Sequence, residues 1–229
     1  MEKPILFNTE MVRAILAGKK TQTRRLLKPK YRENEAGFQV ITNKNNGQFG
    51  RVEYYDEYEE VTRYMKPPCD PDDILWVRET WNADWCDHYI YKADGGSAVA
   101  AGYRKEPRWR PSIHMPRKAA RIFLKVKDMR AERLFDSFFK DGASILSVQK
   151  EGIDIGDTCR ECIENYGRPC CVDATEGTEC IMLDDPRTAF SYLWESTIIP
   201  ANRDLYGWHA NPWVWVIEFE RCEKPEGWC

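Results

Sequence analysis

"ILAGKKTQTRR", Ile15 to Arg25, is the stretch where the chain changes character. Upstream of it, Met11, Val12, Ile15 and Leu16 recur at the spacing of one helical face. Asn8 or Thr9 is placed to cap that helix, and Glu10 sits in its first turn. Gly18 supplies the left-handed residue that ends it. The residues "TQTRR" then suit a strand or an extended loop. In extended backbone Thr21, Thr23 and Arg25 face one way, and Lys20, Gln22 and Arg24 the other. Bending at the helix–strand junction can turn Lys20 back toward the Thr23 and Arg25 side. The first element expected is therefore this helix, and the second a strand.

Working outward, strand patterns spread along the whole chain. Phe38–Thr42 and Phe49–Tyr55 flank "NKNNGQ" as a hairpin. "PPCDPDD" breaks the chain before "ILWVRETW", a strong strand, and "HYIYKADGG" reads as another strand with a turn. A third clear strand lies around Ala120–Val126. "PWVWVIEFERCE" alternates Trp213, Trp215, Ile217 and Phe219 against Val214, Val216 and Glu218, so its tryptophans read as core. Many strands, few helices and no internal repeat predict an α+β chain: a small mixed β-barrel with flanking helices rather than a βαβ sandwich. With 229 residues it is read as one domain, 1–229, carrying two insertions. One is a polar, Tyr-rich hairpin region at about 28–70. The other, 154–187, is poor in aliphatics and rich in Cys, Gly and acidic residues.

Composition bounds the function. The chain is 42% hydrophobic and 31% charged with a net charge of −3, which argues against a surface coated for phosphate throughout. Nucleic-acid contact would need a local basic groove on a mildly acidic body. "MEKPILFNTEMVRAIL" lacks a basic region followed by a continuous apolar run, and no stretch reaches membrane-spanning length. A soluble cytoplasmic protein without a membrane partner is the expectation.

Gly18-x-Lys20-x-x-Thr23-x-Arg25 after an amphipathic helix resembles the signature of the ASCH domain, a PUA-like β-barrel family. "DDILWVRETW", "SIHMPRKAARI" and "NPWVWVIEF" resemble the longer ASCH proteins of bacteriophages and prophages, which would place the chain in a host cytoplasm. The resemblance covers most of the chain, more weakly at Leu27–Met65 and in the Cys-rich insertion. It implies a barrel with a cleft beside the first helix. Relatives bind RNA or nucleobases, and a member of the family hydrolyses N4-acetylcytidine with a Lys, a Thr and a Glu. Carried across, these fall on Lys20, Thr23 and Glu151, the last in "VQKEGI" after a short helix. Where such proteins often have Pro-Gly-Asp before the "VRE" strand, this chain has Pro71-Asp72-Asp73.

Amide hydrolysis needs a nucleophile, a base and an oxyanion holder. Thr23 would attack or orient a water. Lys20 serves as base where burial and neighbouring Arg25 lower its pKa. Glu151 would orient Lys20 or pass the proton to the leaving amine. Arg25 suits a carbonyl, phosphate or oxyanion. Trp81 and Trp208 are the candidates to stack on a base. Glu79 is either a pocket residue or a structural partner of Arg25 or Arg78. His114 and Arg117 either touch a phosphate or, for the histidine, pack in a turn. Two functions stand: an amidohydrolase acting on an N4-acylated cytosine base or nucleoside, or a module that binds RNA, a single strand or a modified nucleobase without chemistry. A third is an accessory protein whose cleft binds a host protein.

Cys159-x-x-Cys162 has the knuckle spacing of a tetrahedral Zn²⁺ site. Cys180 and one of Cys170 or Cys171 would complete four thiolates, leaving no open position for chemistry. Such a structural zinc would hold together a segment with few apolar residues. The alternatives are a flexible loop of reduced thiols, or disulfides formed after purification.

Overall fold

The computed structural model describes residues 1–42, 49–83, 89–95, 108–135, 144–153 and 186–227. They are mixed α and β, mostly strands with a few short helices. The strands are β1 (Glu2–Leu6), β2 (Gln22–Leu26), β3 (Gly37–Val40), β4 (Val52–Tyr55), β5 (Val61–Tyr64), β6 (Ile74–Arg78), β7 (Trp81–Ala83), β8 (Tyr89–Tyr91), β9 (Phe123–Arg133) and β10 (Trp213–Cys222). The helices are α1 (Thr9–Leu16), α2 (Ser144–Lys150), α3 (Pro186–Thr197) and α4 (Arg203–Tyr206). Among the described residues the strands form three sheets, in the orders β1-β6-β9-β10-β2, β3-β4-β5 and β7-β8, and no closed barrel. The chain divides into two compact units. The first comprises Met1–Thr21, Cys69–Asp128 and Glu218–Cys229; the second comprises Gln22–Pro68 and Met129–Ile217.

In the first unit a strand precedes the expected opening helix. "EKPIL" pairs in parallel with β6, from Glu2 opposite Ile74 to Leu6 opposite Arg78. Pro4 is tolerated there because β1 is the sheet's edge. Helix α1 then follows as its pattern predicts. The Asn8 side chain accepts the Met11 N–H at 2.8 Å, a cap whose removal costs about 1 kcal/mol. Val12 and Ile15 are fully buried, and Gly18 leaves the helix at φ +71°. The "ILWVRETW" run is two strands rather than one. It breaks at Glu79 and Thr80, where the Glu79 N–H reaches the Met115 sulfur at 3.2 Å. Trp81, Met115, Ala119, Ala120 and Phe123 form this unit's aromatic core.

In the second unit the "PWVWV" half of β10 is buried on both faces, which explains its nearly unbroken apolar run. Val214 and Val216 pack with Leu134, Val148, Phe190, Trp194 and Ile198, under α2 and α3. Trp215 faces the other way, onto Leu27, Val52 and Ala131. Burying each such side chain stabilises by about 1.5–3 kcal/mol. The expected hairpin is there: β3 and β4 pair antiparallel from Gly37 opposite Tyr55 to Val40 opposite Val52. Its proposed turn, 43–48, lies outside the described residues. A Cβ at Gly37 would sit 2.2 Å from the Tyr55 hydroxyl, so a larger residue there would have to turn that ring aside. A third strand, β5, extends this sheet.

Candidate functional site

The signature residues divide between the units. Lys20 belongs to the first and is 2% exposed, its amine 5.8 Å from the centre of the Phe7 ring. Thr23, Arg25 and Glu151 belong to the second. Thr23 is 3% and Glu151 4% exposed. Glu151 follows α2, its N–H turned onto the Val148 carbonyl at 3.0 Å. Its carboxylate accepts Arg24 Nη1 at 2.6 Å. Arg24 also donates Nη2 to Ser147 Oγ at 2.7 Å and lies 5.4 Å over the Phe190 ring. The Gln22 amide, turned so that its oxygen faces the guanidinium, accepts both Arg24 Nη atoms at 2.7 and 3.2 Å. Gln22 and Arg24 therefore share the face of β2 that Glu151 meets, and strand alternation sends Thr23 and Arg25 to the other.

Arg25 leads into a hollow of about 610 Å³ contained within the second unit. Six cationic side chains line it: Arg25, Lys28, Lys30, Arg32, Arg63 and Lys66. Tyr31, Tyr54 and Trp215 supply aromatic surface, and no Asp or Glu is among the lining residues. The local sequence explains why the cations gather. Pro29 fixes its own φ and disfavours helix at Lys28, so "KPKYR" runs on without regular structure. Lys28, Lys30 and Arg32, at alternate positions, all reach the hollow. Leu27, buried and bonded through its N–H to the Trp213 carbonyl at 3.0 Å, anchors the start of the segment. Lys28, Lys30, Arg32 and Lys66 are exposed, and among the described residues none of the three lysines has a carboxylate within ion-pair distance. Burial lowers the Arg25 guanidinium from its usual value, an effect that Glu151 partly offsets.

The floor is built from rings. Tyr54 is 1% exposed and meets the Tyr31 ring edge-on at 5.7 Å, while Tyr31 itself is 52% exposed. Arg63 lies 3.7 Å over the Tyr54 ring. Its Nε and Nη2 both donate to Glu35, at 2.5 and 2.8 Å, and this pairing holds the Glu35 carboxyl below the usual carboxylate range. None of Lys28, Lys30, Arg32, Arg63 or Lys66 was singled out from the sequence. The readable signal is the "KPKYR" run; that Arg63 and Lys66 join it depends on the β3-β4-β5 sheet.

The remaining candidates lie elsewhere. Glu79, 1% exposed in the first unit, is gripped by Arg121 Nε and Nη2 at 2.9 and 3.1 Å, so its arginine is neither Arg25 nor Arg78. Burial pushes its carboxyl up, opposed by Arg121. Arg121 also pairs with Asp94 at 2.7 Å and covers the Tyr91 ring at 3.8 Å. Trp81 is a core residue of the first unit, with Arg110 5.1 Å over its ring. His114 is exposed in a 3₁₀ turn. Arg117, also exposed, pairs with Glu2. Trp208, in the second unit, packs on Phe135 at 4.7 Å and on Phe190 at 5.9 Å. It lines a separate cavity of about 690 Å³ with Tyr192, Glu195 and Arg203. Cys159, Cys162, Cys170, Cys171 and Cys180 lie outside the described residues. Among the described residues no group of three or more His, Cys, Asp or Glu is placed to hold a metal ion, and no helix is long and apolar enough to cross a membrane.

Comparison of the chain with protein-family models, with curated proteins and with solved structures gives no match in any of the three.

Proposed function

We propose that the second unit binds single-stranded nucleic acid in the basic hollow. The observation that carries this reading is six cations and three aromatic rings around one concavity without a carboxylate among the lining residues. On a chain of net charge −3, such a local patch focuses the field where the body would otherwise repel a polyanion. Ammonium and guanidinium groups take phosphates, while Tyr31 offers a half-exposed ring to an unstacked base. A duplex keeps its bases stacked inside and has no use for that ring. Anisotropy titration of a labelled single strand of about ten nucleotides tests the reading, with the matching duplex and free cytidine as competitors. The unlabelled single strand should displace the label well ahead of both. Equal competition by the duplex, or no binding at all, overturns the proposal.

The ASCH assignment and its PUA-like barrel belong to the same proposal. What supports them is the order Asn8-capped helix, Gly18, Lys20, Thr23, Arg25 leading into a strand. A second reading, removal of an acyl group from N4-acylated cytosine, is favoured by one observation. Lys20, Thr23 and Glu151, the residues that the resemblance assigns to that chemistry, are all buried, at 2%, 3% and 4% exposure. Incubation with N4-acetylcytidine should then release cytidine; no turnover across several acyl groups removes this reading. For Cys159, Cys162, Cys170, Cys171 and Cys180 the proposal is structural zinc, with about one equivalent expected in protein purified under reducing conditions. A trace amount would contradict it.

A further inference from the structure

We infer that Glu35 is a positioning residue for the basic hollow: it clamps Arg63 and the backbone of Lys30 to Arg32 so that the cations stand ready for a strand. The inference rests on the strand-binding reading of that hollow. On charge alone a carboxylate beside a polyanion site is harmful, because it cancels a cation and repels phosphate. The geometry points to the opposite effect. Glu35 presents no side-chain surface to solvent, whereas Arg63 keeps 24% of its own exposed. Both carboxylate oxygens are turned inward. Oε1 takes Arg63 Nε at 2.5 Å, and Oε2 takes Arg63 Nη2 at 2.8 Å and the Arg32 N–H at 2.7 Å.

The clamp continues through the segment that carries the cations. Arg63 Nη2 also donates to the Lys30 carbonyl at 2.8 Å. The Lys30 N–H donates to Tyr54 Oη at 3.0 Å, in the ring that Arg63 covers. The Glu35 N–H closes the loop on the Arg32 carbonyl at 3.0 Å. Both backbone polar groups of Lys30 and both of Arg32 are thereby tied to one assembly of Glu35, Arg63 and Tyr54. A segment without regular structure would otherwise pay its ordering entropy at the moment of binding. A planar guanidinium is needed, since a lysine at 63 has no fork to hold a carboxylate and a carbonyl together.

The test uses the full chain and two variants whose charge effects differ. Glu35→Gln removes a negative charge, so electrostatics alone predicts tighter binding of a labelled single-stranded RNA. Arg63→Lys leaves the charge unchanged, so electrostatics alone predicts no change. The clamp predicts that both bind about tenfold more weakly. It also predicts a shallower log–log salt dependence, by roughly 0.7 for each phosphate that is no longer neutralised. Equal or tighter binding by Glu35→Gln overturns the inference. So does weaker binding with an unchanged slope in both variants, which is what a smaller folded fraction would give. Hydrogen exchange at the Lys30 and Arg32 amides reads the clamp without any ligand. Exchange should quicken at least about tenfold in both variants while β10 stays protected; unchanged exchange also overturns it. If wild-type protein binds no strand, the strand-binding reading fails, and the exchange data still judge the clamp.

Discussion

The second unit holds two arginine–carboxylate pairs that look alike chemically and differ in what surrounds them. Arg24 and Glu151 are both sealed, with side chains 1% and 4% exposed. Arg63 and Glu35 are sealed on the acid side only. The sealed pair joins β2 to the end of α2 and reaches Ser147, with the Glu132 carboxylate 3.8 Å from Arg24 Nη2. The half-open pair faces its acid into the protein and its base toward the hollow. Desolvation of one partner or of both thus separates a pair that holds the fold from one that presents a surface. Four exposed cations line the hollow beside the second pair, which fits that contrast.

The largest expected effect comes from opening the sealed pair. Glu151→Ala takes the carboxylate at 2.6 Å from the buried Arg24 charge, leaving Glu132 at 3.8 Å, and should cost about 3 kcal/mol of stability, measured by denaturant unfolding. Replacing both partners by apolar residues of similar volume should cost less than that single change. If Glu151→Ala is neutral, the contrast between the pairs disappears. Removing the open cations should do the reverse. The triple change Lys28→Ala, Lys30→Ala and Lys66→Ala should leave stability within about 0.5 kcal/mol. It should also make the salt dependence of strand binding shallower by roughly 2, at about 0.7 per phosphate. Smaller still is Tyr31→Ala, expected to lose about 1–3 kcal/mol of affinity to missing stacking, with the salt slope unchanged.

A third acid sharpens the rule from the first unit. Burial would raise the Asp73 carboxyl. The bonds from Lys3 at 2.7 Å, from the Met1 ammonium at 2.6 Å and from the Asp70 N–H at 3.0 Å outweigh it and hold the group well below the carboxylate range. A depressed native pKa stabilises above the unfolded value and is lost as pH falls toward the native one. The wild type should therefore lose stability faster than Asp73→Asn below about pH 4, by thermal melts. Parallel curves through that window would contradict it.

How much of this could be read beforehand follows the range of each interaction. Helix α1, its Asn8 cap and the Gly18 exit are set by neighbours, and they stand where the pattern placed them. The β3–β4 hairpin and the β10 run were legible for the same reason. Strand β1 was not, because "EKPIL" carries a proline and charges, and only pairing with distant β6 makes it a strand. Strand β5 hides too: it is short, and Val61 and Tyr64 are exposed. At the site, burial of Lys20, Thr23 and Glu151 needed the fold to be seen. The Glu35–Arg63 pair spans 28 residues and leaves no periodic trace. Trp215 and Trp208 show the limit of composition. Both pack in cores, and only Trp215 also lines the hollow.

The most direct test of the basic hollow is the affinity of the wild-type chain for a short single-stranded RNA between about 50 and about 200 mM salt. Four exposed cations contacting phosphate give a log–log slope of about −3, a loss of roughly 50-fold over that range. A slope near zero, or affinity no better than that of free cytidine, would contradict it.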